Sequence, residues 1–308
     1  MLRLGMDIGG SKIEVQVLDD AGRIRYRQRT VTSKENVRTF VDQICSLVSE
    51  AETVVGQSCS IGLGLPGSPD PCSGRIKNSN ILTINQQPLQ QLLTDRLHRP
   101  VAIANDANCF TLSEAIDGAG AGLHSVVGVI LGTGCGGGVV IDRRLQQGKN
   151  GNCGEWGHIP LPYYQPARDG EPHRCYCGQL NCIESFISGT GVARQLSANY
   201  RHSVDCVSFF SQLSKQEDPQ ALALLERIRD QLARSLAMIV NMLDPDIIIL
   251  GGGLSNVPLL YTNIASLMGQ YTFGHYCNTL ILPAQHGDSS GVRGAAWLGS
   301  SMEDTMTR

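Results

Sequence analysis

The sequence predicts an α/β protein of two domains, and three observations carry that expectation. Its 308 residues suffice for about two domains at roughly 100–200 residues each. Stretches with strand-like alternation and stretches with helical spacing follow one another along the chain. A strand, glycine turn, strand opening occurs twice, a repeat of architecture that shares little beyond its glycines. Hydrophobic residues make up 42% and charged residues 17%, so a sizeable core is available and disorder is excluded.

The chain opens with the apolar run 2–8, then Gly9-Gly10, then the alternating run 13–17. Asp19-Asp20-Ala21-Gly22 is turn chemistry, and alternation resumes at Ile24, which predicts a three-stranded antiparallel meander. Val37, Phe40, Val41, Ile44, Leu47 and Val48 recur at helical spacing and stop before Gly56. Residues 59–65 read as a strand leading into the turn-rich stretch 66–74. A helix over 89–97, a strand over 101–104 and a helix over 107–116 follow. The second opening is the strand 126–131, the loop Gly132-Thr133-Gly134-Cys135-Gly136-Gly137-Gly138 and the strand 139–141. An amphipathic helix over 221–243 places Leu222, Leu225, Ile228, Leu232, Leu236, Ile239 and Leu243 on one side, with Met238 and Met242 as core packing. It stops at Asp244-Pro245, and a buried strand over 246–250 enters Gly251-Gly252-Gly253.

Composition excludes several functions. The net charge is −3 without a long basic run, which argues against nucleic acid as a partner. No apolar stretch approaches the ~18–20 residues of a membrane span, and the N-terminus has no signal-peptide h-region. The expectation is a cytoplasmic protein. Eleven cysteines fit thiols and metal ligands better than a disulfide framework.

Two familiar strings fail on context. Gly62-Leu63-Gly64-Leu65-Pro66-Gly67 spells G-x-G-x-x-G, but Pro66 and Ser68-Pro69-Asp70-Pro71 oppose the helix that a dinucleotide site needs. Residues 5–12 resemble a P-loop, yet Ser11 precedes Lys12 and a strand follows. A different phosphate site remains. Gly9, Gly10, Ser11 and Lys12 sit on one strand turn and Gly132-Thr133-Gly134 on another, where backbone N–H groups and a hydroxyl can approach phosphate oxygens. Such glycines can also supply φ > 0. Asp7 suits Mg²⁺ held through water. Gly252 and Gly253, after a buried strand, let an adenosine lie against backbone.

Asn105-Asp106 follows the strand 101–104, at a strand end where α/β sites tend to lie. Asp106 reads as a proton acceptor and Asn105 as a holder of a neighbouring hydroxyl. The local sequence equally allows Asp106 as a helix N-cap. Cys175, Cys177 and Cys182 lie within eight residues, too close for packing positions of one element. With one histidine they compose a closed Cys₃His zinc set. The other eight cysteines read as small buried hydrophobes.

Asp7-Ile8-Gly9-Gly10-Ser11-Lys12, Asn105-Asp106-Ala107-Asn108, Gly132-Thr133-Gly134, Gly154-Glu155-Trp156-Gly157-His158 and Cys175-Tyr176-Cys177-Gly178 with Cys182-Ile183-Glu184 together resemble the ROK (repressor, ORF, kinase) family over essentially the whole chain. Ser11 stands where the family usually has Thr and keeps the hydroxyl. The resemblance implies a two-domain actin-like (sugar kinase, Hsp70-like) fold with ATP in an interdomain cleft. It implies domains at 1–120 and 121–308, the last helix of the first open to assignment to the second, which carries a zinc-binding insertion. It also implies Asp106 as the catalytic base and a hexose contacted by Asn105, Asp106, Glu155, His158 and Glu184. The loops 66–68, with Gly67, and 78–83 would read the sugar's identity.

The same resemblance selects His158 as the fourth zinc ligand, with His173 as the nearer rival in sequence. The zinc would be structural, holding Glu155 and Glu184 relative to one another. The segments 184–191 and 286–294 are most similar to bacterial fructokinases, which gives fructose as the first expectation and N-acetylglucosamine as the next. A broad mannose or glucose kinase is a further alternative. A homodimer is implied by resemblance alone. Two other classes compete: a sugar-sensing repressor, for which Asp7 leaves no room for a preceding helix-turn-helix, and a nonenzymatic ATP-driven binding protein, which leaves the sugar-facing set unexplained.

Overall fold

The structure, a computed structural model, describes residues 1–199, 206–213 and 218–301. Contacts divide the chain into two units. The first is residues 1–122 with 138–153 and 288–308, and the second is 123–137 with 154–287; residues 302–308 lie outside the described part. The single cut expected near residue 120 gives way to a discontinuous division, because the last helix packs on the first sheet.

The first unit begins with β1 (Arg3–Ile8), β2 (Lys12–Leu18) and β3 (Ile24–Val31), the predicted meander. Helix α1 (Val37–Val55) follows, opened by a capping box between Asn36 and Thr39 and closed by Gly56 in the left-handed region at φ 74°. Next come β4 (Ser60–Leu65), the short pair β5 (Ser68–Pro69) and β6 (Ile76–Lys77), α2 (Leu89–Leu97), β7 (Val101–Asn105) and α3 (Asp106–Asp117). The sheet order is β3–β2–β1–β4–β7. β2 is antiparallel to β1 and β3, while β1–β4 and β4–β7 are parallel. On one face Leu4, Met6, Ile8, Ile61 and Leu63 join Phe40, Ile44 and Val48 of α1 in a fully enclosed core.

In the second unit β8 (Ser125–Leu131) turns at 132–134 into β9 (Cys135–Ile141). The glycines 136–138 are therefore strand, not loop. They are small for a reason: a Cβ at Gly137 would lie 2.8 Å from the Trp156 ring and 2.9 Å from the Gly128 carbonyl. β9 ends in the first unit, where it pairs antiparallel with β10 (Arg144–Leu145). Helices α4 (Pro166–Asp169), α5 (Glu184–Ile187), α6 (Gly189–Asn199), α7 (Cys206–Leu213) and α8 (Pro219–Leu243) precede β11 (Ile247–Gly251). Then come α9 (Ile264–Gly269) and β12 (Leu280–Pro283). β11 is parallel to both β8 and β12, so the second sheet runs β10–β9–β8–β11–β12. This is the actin-like plan in both sheets.

The last helix, α10 (Ser290–Ser301), covers the other face of the first sheet. That face is lined by glycines, and a Cβ at Gly5 would lie 2.2 Å from the Val292 carbonyl oxygen, at Gly62 1.9 Å from that of Ala295. From the helix side, a Cβ at Gly299 would lie 2.8 Å from the Ile61 carbonyl carbon, while one at Gly294 would meet the Cys109 carbonyl of α3 at 1.7 Å. In the rejected dinucleotide string Gly62 thus docks α10, and Gly64 faces Cys109 of α3, whose Sγ would lie 3.0 Å from a Cβ there.

Two details of α8 differ from expectation. Leu222 and Leu243 are exposed, as is Met242 at 78%, because the helix ends extend past its packing partners. Within the buried stripe sit Gln231 and Arg234, the latter fully enclosed and ion-paired with the equally enclosed Asp169. Among the described residues no helix is long and apolar enough to cross a membrane.

Candidate functional site

The first unit gathers Asp7, the turn 9–12, Gly67, Asn105 and Asp106 at the ends of its parallel strands. Asp7, next to last in β1, lies beneath α10, where a Cβ on Gly291 would come within 3.1 Å of its carboxylate. Burial, then the Asp106 and Glu14 charges, push Asp7 up to about 6, with Lys12 opposing. The turn is held by the Gly9 N–H donating to the Lys12 carbonyl at 2.9 Å. Neither Gly9 nor Gly10 takes positive φ, and a Cβ would be no nearer than 3.4 Å at Gly9 and 3.5 Å, to Asn80 Oδ1, at Gly10. Conformation therefore does not demand glycine there. Asn80 belongs to the 78–83 loop expected to read the sugar, and its place beside this turn is one that only the fold supplies, by bringing residues 10 and 80 together.

Asn105, not Asp106, caps α3: its side-chain oxygen accepts from the Ala107 N–H at 2.9 Å. Its amide nitrogen donates to the Gly67 carbonyl at 3.3 Å, so Asn105 fixes the 66–68 loop as well as the helix start. Gly67 does require glycine, with φ 87° and a Cβ position 2.4 Å from the Lys77 carbonyl oxygen. Asp106 is the first residue of α3 and exposed, with its carboxylate also accepting from Ala107 N–H at 2.8 Å.

The second unit gathers the rest. Thr133 and Gly134 form the β8–β9 turn, bracketed by the segment 188–190: Gly189 N–H donates to the Gly132 carbonyl at 2.7 Å and the Thr190 hydroxyl to the Thr133 carbonyl at 2.8 Å. Glu184 accepts from the Cys135 N–H at 2.9 Å and would sit 2.5 Å from a Cβ on Gly134. Gly134 is thus constrained by a carboxylate, with no positive φ. Gly252 is the glycine with the left-handed backbone, φ 80°, its Cβ position 2.6 Å from the Leu131 carbonyl, so the ends of β8 and β11 interlock. Gly253 beside it is open, nearest to Val207 at 3.9 Å.

Glu155 precedes the short 3₁₀ turn Trp156–His158, pinned by Trp156 Nε1 donating to the Gly136 carbonyl at 2.8 Å. His158, Cys175, Cys177 and Cys182 converge, all four ligand atoms lying within 4.8 Å of one another. Cys175 Sγ is 3.6 Å from His158 Nδ1, and Cys177 Sγ is 3.6 Å from Cys182 Sγ. A tetrahedral zinc with Zn–S of about 2.3 Å separates its sulfurs by about 3.8 Å, so the set fits such an ion. His173 is outside the cluster. Burial, then the Cys177 and Cys175 thiols, push Cys182 up to about 12. The other His158 nitrogen, Nε2, meets the Tyr176 hydroxyl at 3.0 Å, a neighbour the motif did not announce. Of the remaining cysteines only Cys59, Cys109, Cys135 and Cys206 are buried; Cys72 is exposed and Cys45, Cys153 and Cys277 are half-buried. Cys109 and Cys206 lie in helices, Cys135 in β9 and Cys59 just before β4, while Cys72 sits on a turn.

A model of the ROK family matches residues 3–301. The chain is 39% identical over 297 residues to the N-acetyl-D-glucosamine kinase of Shigella flexneri serotype 5b (strain 8401), covering 96% of this chain and 98% of that one. Among solved structures, the ROK hexokinase from Thermus thermophilus superposes with a TM-score of 0.86 at 28% identity, over 99% of this chain and 100% of that one. A ROK family glucokinase from Streptomyces griseus, solved with glucose and AMPPNP, gives a TM-score of 0.74 at 30% identity, over 98% and 100%.

Proposed function

The chain belongs to the ROK family, and on that premise we propose that this ATP-dependent sugar kinase phosphorylates N-acetylglucosamine on its terminal CH₂OH. Fructose, the first expectation, is not supported. The observation that carries the revised reading is the 39% identity, over nearly the full length of both chains, to proteins named N-acetyl-D-glucosamine kinase.

Phosphoryl transfer to an alcohol needs positioning, charge stabilisation and a base for the hydroxyl proton. In this reading Asp106 accepts that proton at its carboxylate. Asn105, the 66–68 loop, Glu155, His158 and Glu184 hold the sugar hydroxyls. Ser11, Lys12, the 9–10 backbone, Thr133 and Gly134 face the phosphates, and Gly252 and Gly253 face the adenosine. Asp7 would hold Mg²⁺ through water, and that ion would neutralise phosphate charge. The Cys₃His set would hold a structural zinc, ordering the segments that carry Glu155 and Glu184.

The test is kcat/KM with ATP on N-acetylglucosamine, glucose, mannose and fructose, because ratios report transition-state discrimination. N-acetylglucosamine should lead by at least about tenfold. A preference for fructose or glucose would end the proposal.

A further inference from the structure

A chain of buried polar side chains runs through the second unit from α4 to α5. Asp169, the last residue of α4, accepts from the Arg234 guanidinium of α8 and, at 2.9 Å, from the Gln165 N–H. The Gln231 amide nitrogen donates to the same carboxylate at 3.2 Å. The Gln231 amide oxygen accepts from the Gln195 amide nitrogen at 3.2 Å, and that nitrogen also donates to the Phe186 carbonyl of α5 at 2.8 Å. Asp169, Gln231 and Gln195 are all buried. The first member sets the direction of the whole chain. Against burial, the Arg234, Gln165 and Gln231 donors hold the Asp169 carboxyl below the ordinary carboxylate range, and an ionised carboxylate only accepts. Gln231 must therefore turn its NH₂ to Asp169 and its oxygen to Gln195. Gln195 in turn must present its NH₂, which reaches Phe186.

Helix α5 depends on such an anchor. It is a single turn, Glu184–Ile187, too short to hold its own conformation. Two of its carbonyls are taken by side chains of α6, Ser185 by Arg194 and Phe186 by Gln195. Its first residue is Glu184, whose carboxylate accepts from the Cys135 N–H at 2.9 Å. The turn is thus tied on one side to the start of β9 and on the other, through two amides, to α8. Amides in an apolar stripe cost free energy that leucines would not, and what they add is a directional hold on one backbone carbonyl. We propose that Gln195 and Gln231 are positioning residues, fixing where α5 presents the Glu184 carboxylate to a sugar hydroxyl. This rests on the reading of Glu184 as a sugar ligand and extends it to two residues that act only through α5.

Gln195→Met removes the amide and keeps the length of the side chain. In the full chain it should raise the KM for N-acetylglucosamine about 5- to 20-fold and leave the KM for ATP within about twofold of the parent. A merely structural amide would move the melting temperature and the active fraction but not the ratio of the two KM values. A double-mutant cycle with Glu184→Ala shows whether the effect passes through that carboxylate. Glu184→Ala alone should weaken N-acetylglucosamine binding, read as KM and as calorimetric Kd. Adding Gln195→Met should then weaken it by less than about twofold more. Gln231→Met, one hydrogen bond further from α5, should give the same pattern and serves if Gln195→Met does not fold. An unchanged sugar KM, an equal rise in the ATP KM, or equal losses with and without Glu184 overturns the positioning role. Sugar affinity unaffected by Glu184→Ala overturns the reading of Glu184 itself, and the positioning role with it.

Discussion

Asp7 in β1 and Asp106 after β7 feel one another's charge across the ends of the parallel strands, with opposite surroundings. Asp106 is exposed at a helix start, while Asp7 is pushed up to about 6 by burial and by the charge of Asp106. Asp106→Asn keeps size and hydrogen bonding but removes the proton acceptor, so kcat should fall by ~10²–10⁴ with sugar affinity largely kept. Near-normal turnover in a folded variant would remove Asp106 from the role. For Asp7 the sign of the pH effect follows from the upward shift: the native state holds this proton more tightly than the unfolded chain. Its contribution to stability is present in full below the unfolded value near 3.8 and is lost as pH rises through about 6. Asp7→Asn, neutral throughout, should therefore unfold at higher temperature than the ligand-free parent at pH 8, by about 1–3 kcal/mol, with little gain at pH 4. Equal stabilities at pH 8, by calorimetry, would show that the buried charge carries no penalty.

Elements repeat the lesson that small residues mark close approach. The α10–sheet contact works because Gly5 and Gly62 on the strands and Gly299 on the helix leave no side chain between backbones. Gly62→Ala should cost about 1–3 kcal/mol or more, measured by denaturant unfolding. Gly9→Ala, with a Cβ 3.4 Å from its nearest neighbour and no positive φ, should leave stability within about 0.5 kcal/mol. If Gly62→Ala is as stable as Gly9→Ala, backbone proximity does not set this contact. α8 shows the limit of periodicity. The apolar stripe was visible at Leu225, Ile228, Leu232 and Leu236, all buried. The enclosed Arg234 was not, because its ion pair with Asp169 joins residues far apart in sequence.

For the whole molecule the metal is the most direct test of the Cys₃His reading. About one zinc should co-purify per chain. Cys177→Ser leaves three ligands, so the segment bearing Glu184 loses its anchor. Melting temperature should drop and sugar KM should rise, with ATP affinity little changed. A metal acting on the phosphates would instead lower kcat with KM intact. Active protein without zinc by elemental analysis would end the assignment.

Sequence alone determined the meander, the main strands and helices up to residue 117 and again over 125–131 and 219–251, the three clustered cysteines and the family. These are local signals, in which periodicity, capping residues and short spacings act within a few residues. Tertiary structure decided the rest. It returned α10 to the first sheet, gave the cap of α3 to Asn105 rather than Asp106, and placed His158 rather than His173 among the thiols. It set Asn80 beside Gly10 and Tyr176 on His158, and left Met242 and Leu243 in solvent. Each of these depends on which distant segment arrives at a given surface. That is settled by packing and by the pairing of buried polar groups across the fold, and no window of sequence contains it.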